Sequence, residues 1–144
     1  RLGYPGQNEE IAILQRFQEE DPLQRLSSVA TPSEISHLQK ARKKIHVSRS
    51  LKEYITSLVG ATRSNPLLRL GSSPRGSLGL MRSGQALAAL RGREYVLPDD
   101  IKFLAGPVLA HRMILKEEER LRGTSQEDVV GQIMGQIAVP MAEM

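Results

Sequence analysis

A chain of 144 residues, 40% hydrophobic and 25% charged, has the size of one compact domain and buries about 68–70% of the surface its unfolded form exposes, so it needs no covalent staple. With no cysteine, thiol catalysis, thiolate zinc sites and a disulfide framework are all excluded. Aromatic residues make up 3%, which argues against a nucleic-acid surface of stacking rings, and the net charge of +4 favours phosphate-bearing partners only weakly.

No apolar run approaches the roughly 18 residues of a membrane span, and no secretory leader opens the chain, so a soluble, cytoplasmic protein is expected. The chain begins at Arg1 without a methionine, and Leu2-Gly3-Tyr4-Pro5 reads as a continuation, the start of a piece of a longer protein.

Helical spacing dominates from there. Asn8 can cap a first helix whose first turn carries Glu9 and Glu10 and whose apolar side is Ile11, Ile13, Leu14 and Phe17, ending before Asp21-Pro22. Thr31-Pro32-Ser33-Glu34 supplies a cap, an N1 proline and an N3 glutamate for a second helix. Its stripe is Ile35, Leu38, Ala41 and Ile45, with Lys40, Arg42, Lys43 and Lys44 near the C-terminal end, where cations suit the dipole. Ser50-Leu51-Lys52-Glu53 reads as a capping box opening a core helix with Leu51, Tyr54, Ile55, Leu58 and Val59 on one face, stopped by Asn65-Pro66.

Leu67 to Ser72 reads as a loop. Ser73-Pro74 then starts a fourth helix through Leu78, Met81, Leu87 and Leu90, whose apolar second half should lie centrally before Gly92 ends it. Pro98-Asp99-Asp100 starts a fifth along Ile101, Leu104, Ala105 and Val108, with a break or kink expected at Gly106-Pro107. Lys116 to Arg122 is a polar charged run. Thr124 or Ser125 opens a last helix carrying Val129, Val130, Ile133, Met134 and Ile137 up to Pro140. The expectation is an all-α fold, a compact bundle of about five to six helices, with a short extended stretch at most at Val47 or Tyr95-Val96.

The residues offer little catalysis. His37, His46 and His111 fall on separate segments with no second ligand at helical spacing, so no metal site is expected. The acidic runs, Asp99-Asp100 included, suit helix ends and solvent, and no Gly-x-Ser-x-Gly elbow exists. Gly71-Ser72-Ser73-Pro74-Arg75-Gly76 has phosphate-loop glycine spacing, but Ser77 stands where such a loop needs lysine, and Pro74 deletes a backbone donor. What remains is a helix N-terminus with amide donors and a first-turn arginine. A helix end contributes about 0.3–1 kcal/mol to an exposed anion. A guanidinium about 4 Å from a phosphate oxygen gains about 4 kcal/mol per charge at an effective dielectric near 20. Arg75 is therefore either a phosphate contact or a surface arginine behind a helix cap.

Taken in order, Gly3-Tyr4-Pro5, Tyr54-Ile55 with Leu58-Val59 and Ala61-Thr62-Arg63, Gly71 to Gly76, Gly92 to Asp100, and Val108-Leu109-Ala110-His111-Arg112 make a series that resembles the C-terminal helical lid of MoxR-family AAA+ ATPases. The departures are Leu97, where the family usually has a capping Thr, and Ser72, where it often has Ala. The resemblance implies that residues 1–7 are a hinge from an AAA+ core elsewhere in the polypeptide and that residues 8–144 are the lid. It implies that Arg75, held by the Ser73-Pro74 helix start, is the sensor-2 arginine reaching the γ-phosphate of ATP. Gly3, Tyr4 and Pro5 would form the hinge, with Tyr4 bordering the adenine.

On this reading the core supplies the ATP and Mg2+ site, the chain alone is no enzyme and binds no cofactor, and the full-length protein hydrolyses ATP. A homo-oligomeric ring, chaperone-like remodelling or maturation of a partner, and a von Willebrand factor A domain partner are implied as well. Arg63, Arg93 and Arg112 are expected to pair with acids or with a neighbouring subunit. The alternative is a helical module that binds nucleic acid through the Lys40 to Lys44 cluster, or docks a protein, without nucleotide dependence.

Overall fold

The computed structural model describes residues 3–19 and 21–140. In chain order the elements are α1 (Gln7–Glu19), a 3₁₀ turn (Pro22–Arg25), α2 (Pro32–Arg42), α3 (Arg49–Ser64), β1 (Leu68–Leu70), α4 (Pro74–Leu90), α5 (Pro98–Leu109), a second 3₁₀ turn (Ala110–Arg112), β2 (Ile114–Leu115), α6 (Glu117–Leu121) and α7 (Gln126–Gln136). The helix beyond the expected set is α6, a single turn inside the charged run. The chain divides into two compact units, Arg1–Ser36 and His37–Met144, with the boundary inside α2.

In the first unit α1 starts one residue ahead of Asn8, because Gly6 does the capping. Its carbonyl accepts the Glu10 amide at 2.9 Å, and its own amide donates to the Glu9 carboxylate at 2.8 Å. Asp21 nucleates the 3₁₀ turn by accepting the Leu23 amide at 3.0 Å. The start of α2 follows expectation: Thr31 accepts the Glu34 amide at 3.2 Å, and the Glu34 carboxylate takes the Thr31 amide at 2.7 Å. The apolar stripes form little core, however. Ile45, past the end of α2, packs partly buried against the core of the second unit. Ile11, Leu14, Phe17, Ile35 and Leu38 are all exposed, and α2 buries no residue. Spacing makes a helix amphipathic but does not supply the surface that covers it.

The second unit holds the core. Leu51, Tyr54, Ile55, Leu58 and Val59 of α3 are buried as their spacing predicts, joined by Leu80, Ile101, Ala105, Leu109, Val129, Val130 and Ile133. The α3 cap lies two residues before the expected one. Ser48, not Ser50, accepts the Leu51 amide at 3.1 Å, and the Ser50 hydroxyl bonds Ser48 instead. Helix α4 packs on α5 and α3 through a face that sequence reading misplaced. Leu78 and Leu90 are exposed, whereas Gly76, Leu80, Gly84 and Ala88, each four residues apart, are buried. A Cβ at Gly84 would stand 2.9 Å from Ile101 Cδ1 and 3.0 Å from Val96 Cγ1, so the small residues set how closely the helices approach.

Helix α5 runs through Pro107 to Leu109 instead of breaking at Gly106-Pro107. The proline removes one donor near the helix end, on an exposed turn where the carbonyl it would have served can meet water. Gly92, at φ +69°, ends the α4 region as expected. Past it, His46 and Tyr95 form an isolated parallel bridge, with the His46 amide on Glu94 O at 2.8 Å and the Val96 amide on His46 O at 3.0 Å. The expected loop at Leu67 to Ser72 instead contains β1, which pairs antiparallel with β2 (Leu68 with Leu115, Leu70 with Ile114). Ser125 and Asp128 cap α7 reciprocally, with Ser125 Oγ accepting the Asp128 amide at 3.1 Å. None of the described helices is long and apolar enough to cross a membrane.

Candidate functional site

The loop from Gly71 to Gly76 carries the chain from β1 into α4, and side chains at the end of α3 grip it. Gly71 lies flat against that end. A Cβ there would stand 2.5 Å from the Thr62 carbonyl oxygen and 2.7 Å from Arg63 Cα, so only glycine fits. Ser72 is fully buried. Its amide donates to Thr62 Oγ1 at 2.9 Å, and Thr62 in turn donates to Val59 O at 2.6 Å. The Ser72 carbonyl accepts from Arg63 Nε at 2.9 Å. Gly76 completes the fit, because a Cβ there would collide with Ser72 Oγ and meet Leu109 Cδ2 at 3.1 Å.

Ser73 then caps α4 with extended backbone, φ −77° and ψ 172°, and Pro74 takes the first helical position. Arg75 follows, exposed, and takes part in none of the ion pairs found among the described residues. Ser73, Pro74 and Arg75 thus stand together as the sequence suggests. One expectation fails, that of free amides at this helix start. Pro74 has none, the Arg75 amide donates to Ser73 Oγ at 3.3 Å, and the Gly76 amide donates to Ser73 O at 2.8 Å. What is left to meet an anion is the guanidinium.

Gly3, Tyr4 and Pro5 belong to the other unit, in irregular chain ahead of α1, with Tyr4 fully exposed. Of the three arginines expected to pair with acids or with a neighbouring subunit, Arg93 pairs with an acid, whereas Arg63 and Arg112 take part in no ion pair among the described residues. Arg63 serves Ser72, and Arg112 Nε donates to Val108 O at 3.0 Å.

The acid that Arg93 finds is Asp100, expected at a solvated helix start and in fact buried. Arg93 Nη2 lies 2.7 Å from Oδ1 and Nη1 2.9 Å from Oδ2. Arg91 Nη1 reaches Oδ1 at 3.0 Å, and the Leu97 amide donates to Oδ2 at 2.9 Å. Burial alone would raise the Asp100 carboxyl. The Arg93 and Leu97 hydrogen bonds and the two nearby positive charges outweigh it and hold the group below its ordinary value. The hydrogen bond to Asp100 likewise raises Arg93. Arg91 was not singled out from sequence, although a cation just past one helix and an acid in the first turn of the next, separated by a glycine stop, was the available signal. This cluster ties α4 to α5.

Among the described residues of the second unit are an open groove of about 330 Å³ lined by Glu117, Arg120 and Leu121, and another of about 300 Å³ lined in part by Lys43, Lys44, Lys52 and Gln85. Arg75 lines neither, and the described residues gather no group of three or more His, Asp or Glu able to hold a metal. Chemically, the loop presents one cation outward on a rigid mount.

Residues 60–133 match the AAA lid domain family. The chain is 40% identical over 141 residues to the uncharacterised protein YeaC of Bacillus subtilis, covering 98% of this chain and 44% of that protein. It is 30% identical over 148 residues to the chaperone MoxR1 of Mycobacterium tuberculosis, covering 96% and 39%. A crystal structure from Cytophaga hutchinsonii, of a protein presumed to be an ATPase, superposes with a TM-score of 0.80 at 26% identity, over 97% of this chain and 45% of that one. The chain thus spans less than half the length of these relatives.

Proposed function

The chain belongs to the AAA lid domain family, as a lid of the MoxR type, and from that premise we propose that Arg75 is its sensor-2 arginine, contacting the γ-phosphate of ATP held by a core elsewhere in the parent polypeptide. The observation that carries this reading is the mount. Arg75 stands exposed, outside the ion pairs of the described residues, in the first turn of a helix whose start is locked to α3. With the neighbouring amides already bonded, the guanidinium dominates: about 4 kcal/mol per charge at about 4 Å and an effective dielectric near 20, against about 0.3–1 kcal/mol from a helix end.

The parent binds ATP with Mg2+, hydrolyses it, assembles as a homo-oligomeric ring in the cytoplasm and remodels or matures a client, with a von Willebrand factor A domain protein as partner. Residues 1–7 serve as the hinge, Tyr4 borders the adenine, and residues 8–144 form the lid. The exposed Ile11, Leu14 and Phe17 of α1 support this arrangement as an apolar side for the core to cover.

In the parent protein, Arg75→Ala should lower ATP turnover about a hundredfold, just under the 10³–10⁵ range of arginine fingers. Turnover within a few-fold of wild type would remove the sensor assignment. The 144-residue chain by itself should bind ATP weakly or not at all, because one arginine does not replace a phosphate cradle and a bound magnesium.

A further inference from the structure

We propose that Arg63 is a positioning residue for Arg75, acting through the hydrogen bond it gives to the Ser72 carbonyl; the functional part of this proposal rests on the sensor-2 reading. Ser72 is held on both sides of its own backbone by adjacent residues of α3, its amide by Thr62 Oγ1 and its carbonyl by Arg63 Nε, each at 2.9 Å. Peptide groups on either side of one residue, pinned together, leave its φ and ψ little freedom. The next residue is the α4 cap, so the orientation of Ser72 sets the direction in which α4 departs, and with it the origin of the Arg75 side chain. The missing Cβ atoms at Gly71 and Gly76 let the loop lie close enough for both bonds to form.

The contact runs through Nε, and Arg63 is absent from the ion pairs among the described residues. Its role here is therefore that of a donor at a defined point, not that of a charge. Glutamine separates the two, since its side-chain nitrogen stands at the same bond count from the backbone as arginine Nε but carries no charge, whereas methionine keeps the length and removes the donor.

The test has a structural and a kinetic arm. In the 144-residue chain, Arg63→Met should speed hydrogen exchange of the Ser72 and Gly76 amides about tenfold or more while Ile101 and Ala105 in the core stay unchanged, and Arg63→Gln should keep all of them within about threefold of wild type. Unchanged exchange in Arg63→Met overturns the clamp, whatever the fate of the sensor assignment.

In the parent, Arg63→Met should lower kcat for ATP about tenfold with KM nearly unchanged, Arg63→Gln should restore most of it, and Arg63→Met should add nothing in an Arg75→Ala background. Losses that multiply in the double variant, or Arg63→Gln as damaged as Arg63→Met, would show that Arg63 does not act through Arg75. If Arg75→Ala alone costs nothing, the sensor reading fails, and the exchange arm still decides whether Arg63 fixes the loop.

Discussion

Arg93 grips Asp100 with two parallel hydrogen bonds of 2.7 and 2.9 Å, and it does so where the carboxylate is wholly buried. A planar guanidinium fork meeting both oxygens is the strongest form of such a pair. Its worth to the fold lies less in the attraction than in what its removal would strand: two cations and the Leu97 amide around an empty place.

Asp100→Ala should therefore destabilise the chain by about 3 kcal/mol, the lower end of the range for breaking a buried pair, because both arginines keep some contact with water. Urea unfolding followed by circular dichroism measures it. A loss below about 0.5 kcal/mol, the usual scatter of surface substitutions, would mean that the cluster does not hold α4 to α5.

The same carboxylate makes stability depend on pH. Its folded value lies below the ordinary 3.8, so the unfolded chain takes up the proton first as acid is added. The contribution is thus fully present above about pH 4–5, declines as pH falls through the unfolded value, and is gone once the folded group is protonated. Asp100→Asn should flatten the acid limb of a stability profile below about pH 4 while lowering stability at neutral pH. An acid limb as steep as in the wild type would assign that dependence to other carboxylates.

Two glycines should respond in opposite directions to alanine. A Cβ at Gly84 would stand 2.9 and 3.0 Å from Ile101 and Val96, so Gly84→Ala forces α4 and α5 apart and should cost about 1–2 kcal/mol even after the gain in helix propensity. Gly131, in α7 with nothing within 4 Å, should gain about 0.5–1 kcal/mol from the same change, because alanine restricts the unfolded chain and clashes with nothing. Thermal melts of the pair give the comparison directly.

Tyr54 is 3% exposed, and its hydroxyl has no hydrogen-bond partner among the described residues. Burial raises its ionisation, with Lys102 opposing and Asp99 adding to the shift. A buried hydroxyl without a partner costs roughly 1–3 kcal/mol, so Tyr54→Phe should leave stability unchanged or raise it by about 1 kcal/mol. Destabilisation on removing that one oxygen would reveal a partner the hydroxyl needs.

What could be read from residues alone was whatever near neighbours decide. Thr31 with Glu34 and Ser73 with Pro74 mark helix starts, and Thr124 or Ser125 offers a cap for the last helix, because a cap and the amides it satisfies lie within one turn. The α3 face was legible because five apolar residues keep one spacing. The ordered motifs also led to the lid family, and they marked Arg75 as the candidate cation.

Other features depend on which groups the fold brings together. Leu68 becomes a strand only because Leu115 returns beside it. Helix α4 buries its glycines and not Leu90 because close approach to α5 favours small residues over large ones. Asp100 is buried, and two arginines in the turn after α4 reach it there. The amides at the α4 start are taken up by Ser73 itself, and Arg63, expected to pair with an acid or with a neighbouring subunit, is the donor that holds Ser72. Local backbone preference is written in a few consecutive residues, whereas burial and pairing are settled by which surfaces the folded chain brings within contact distance.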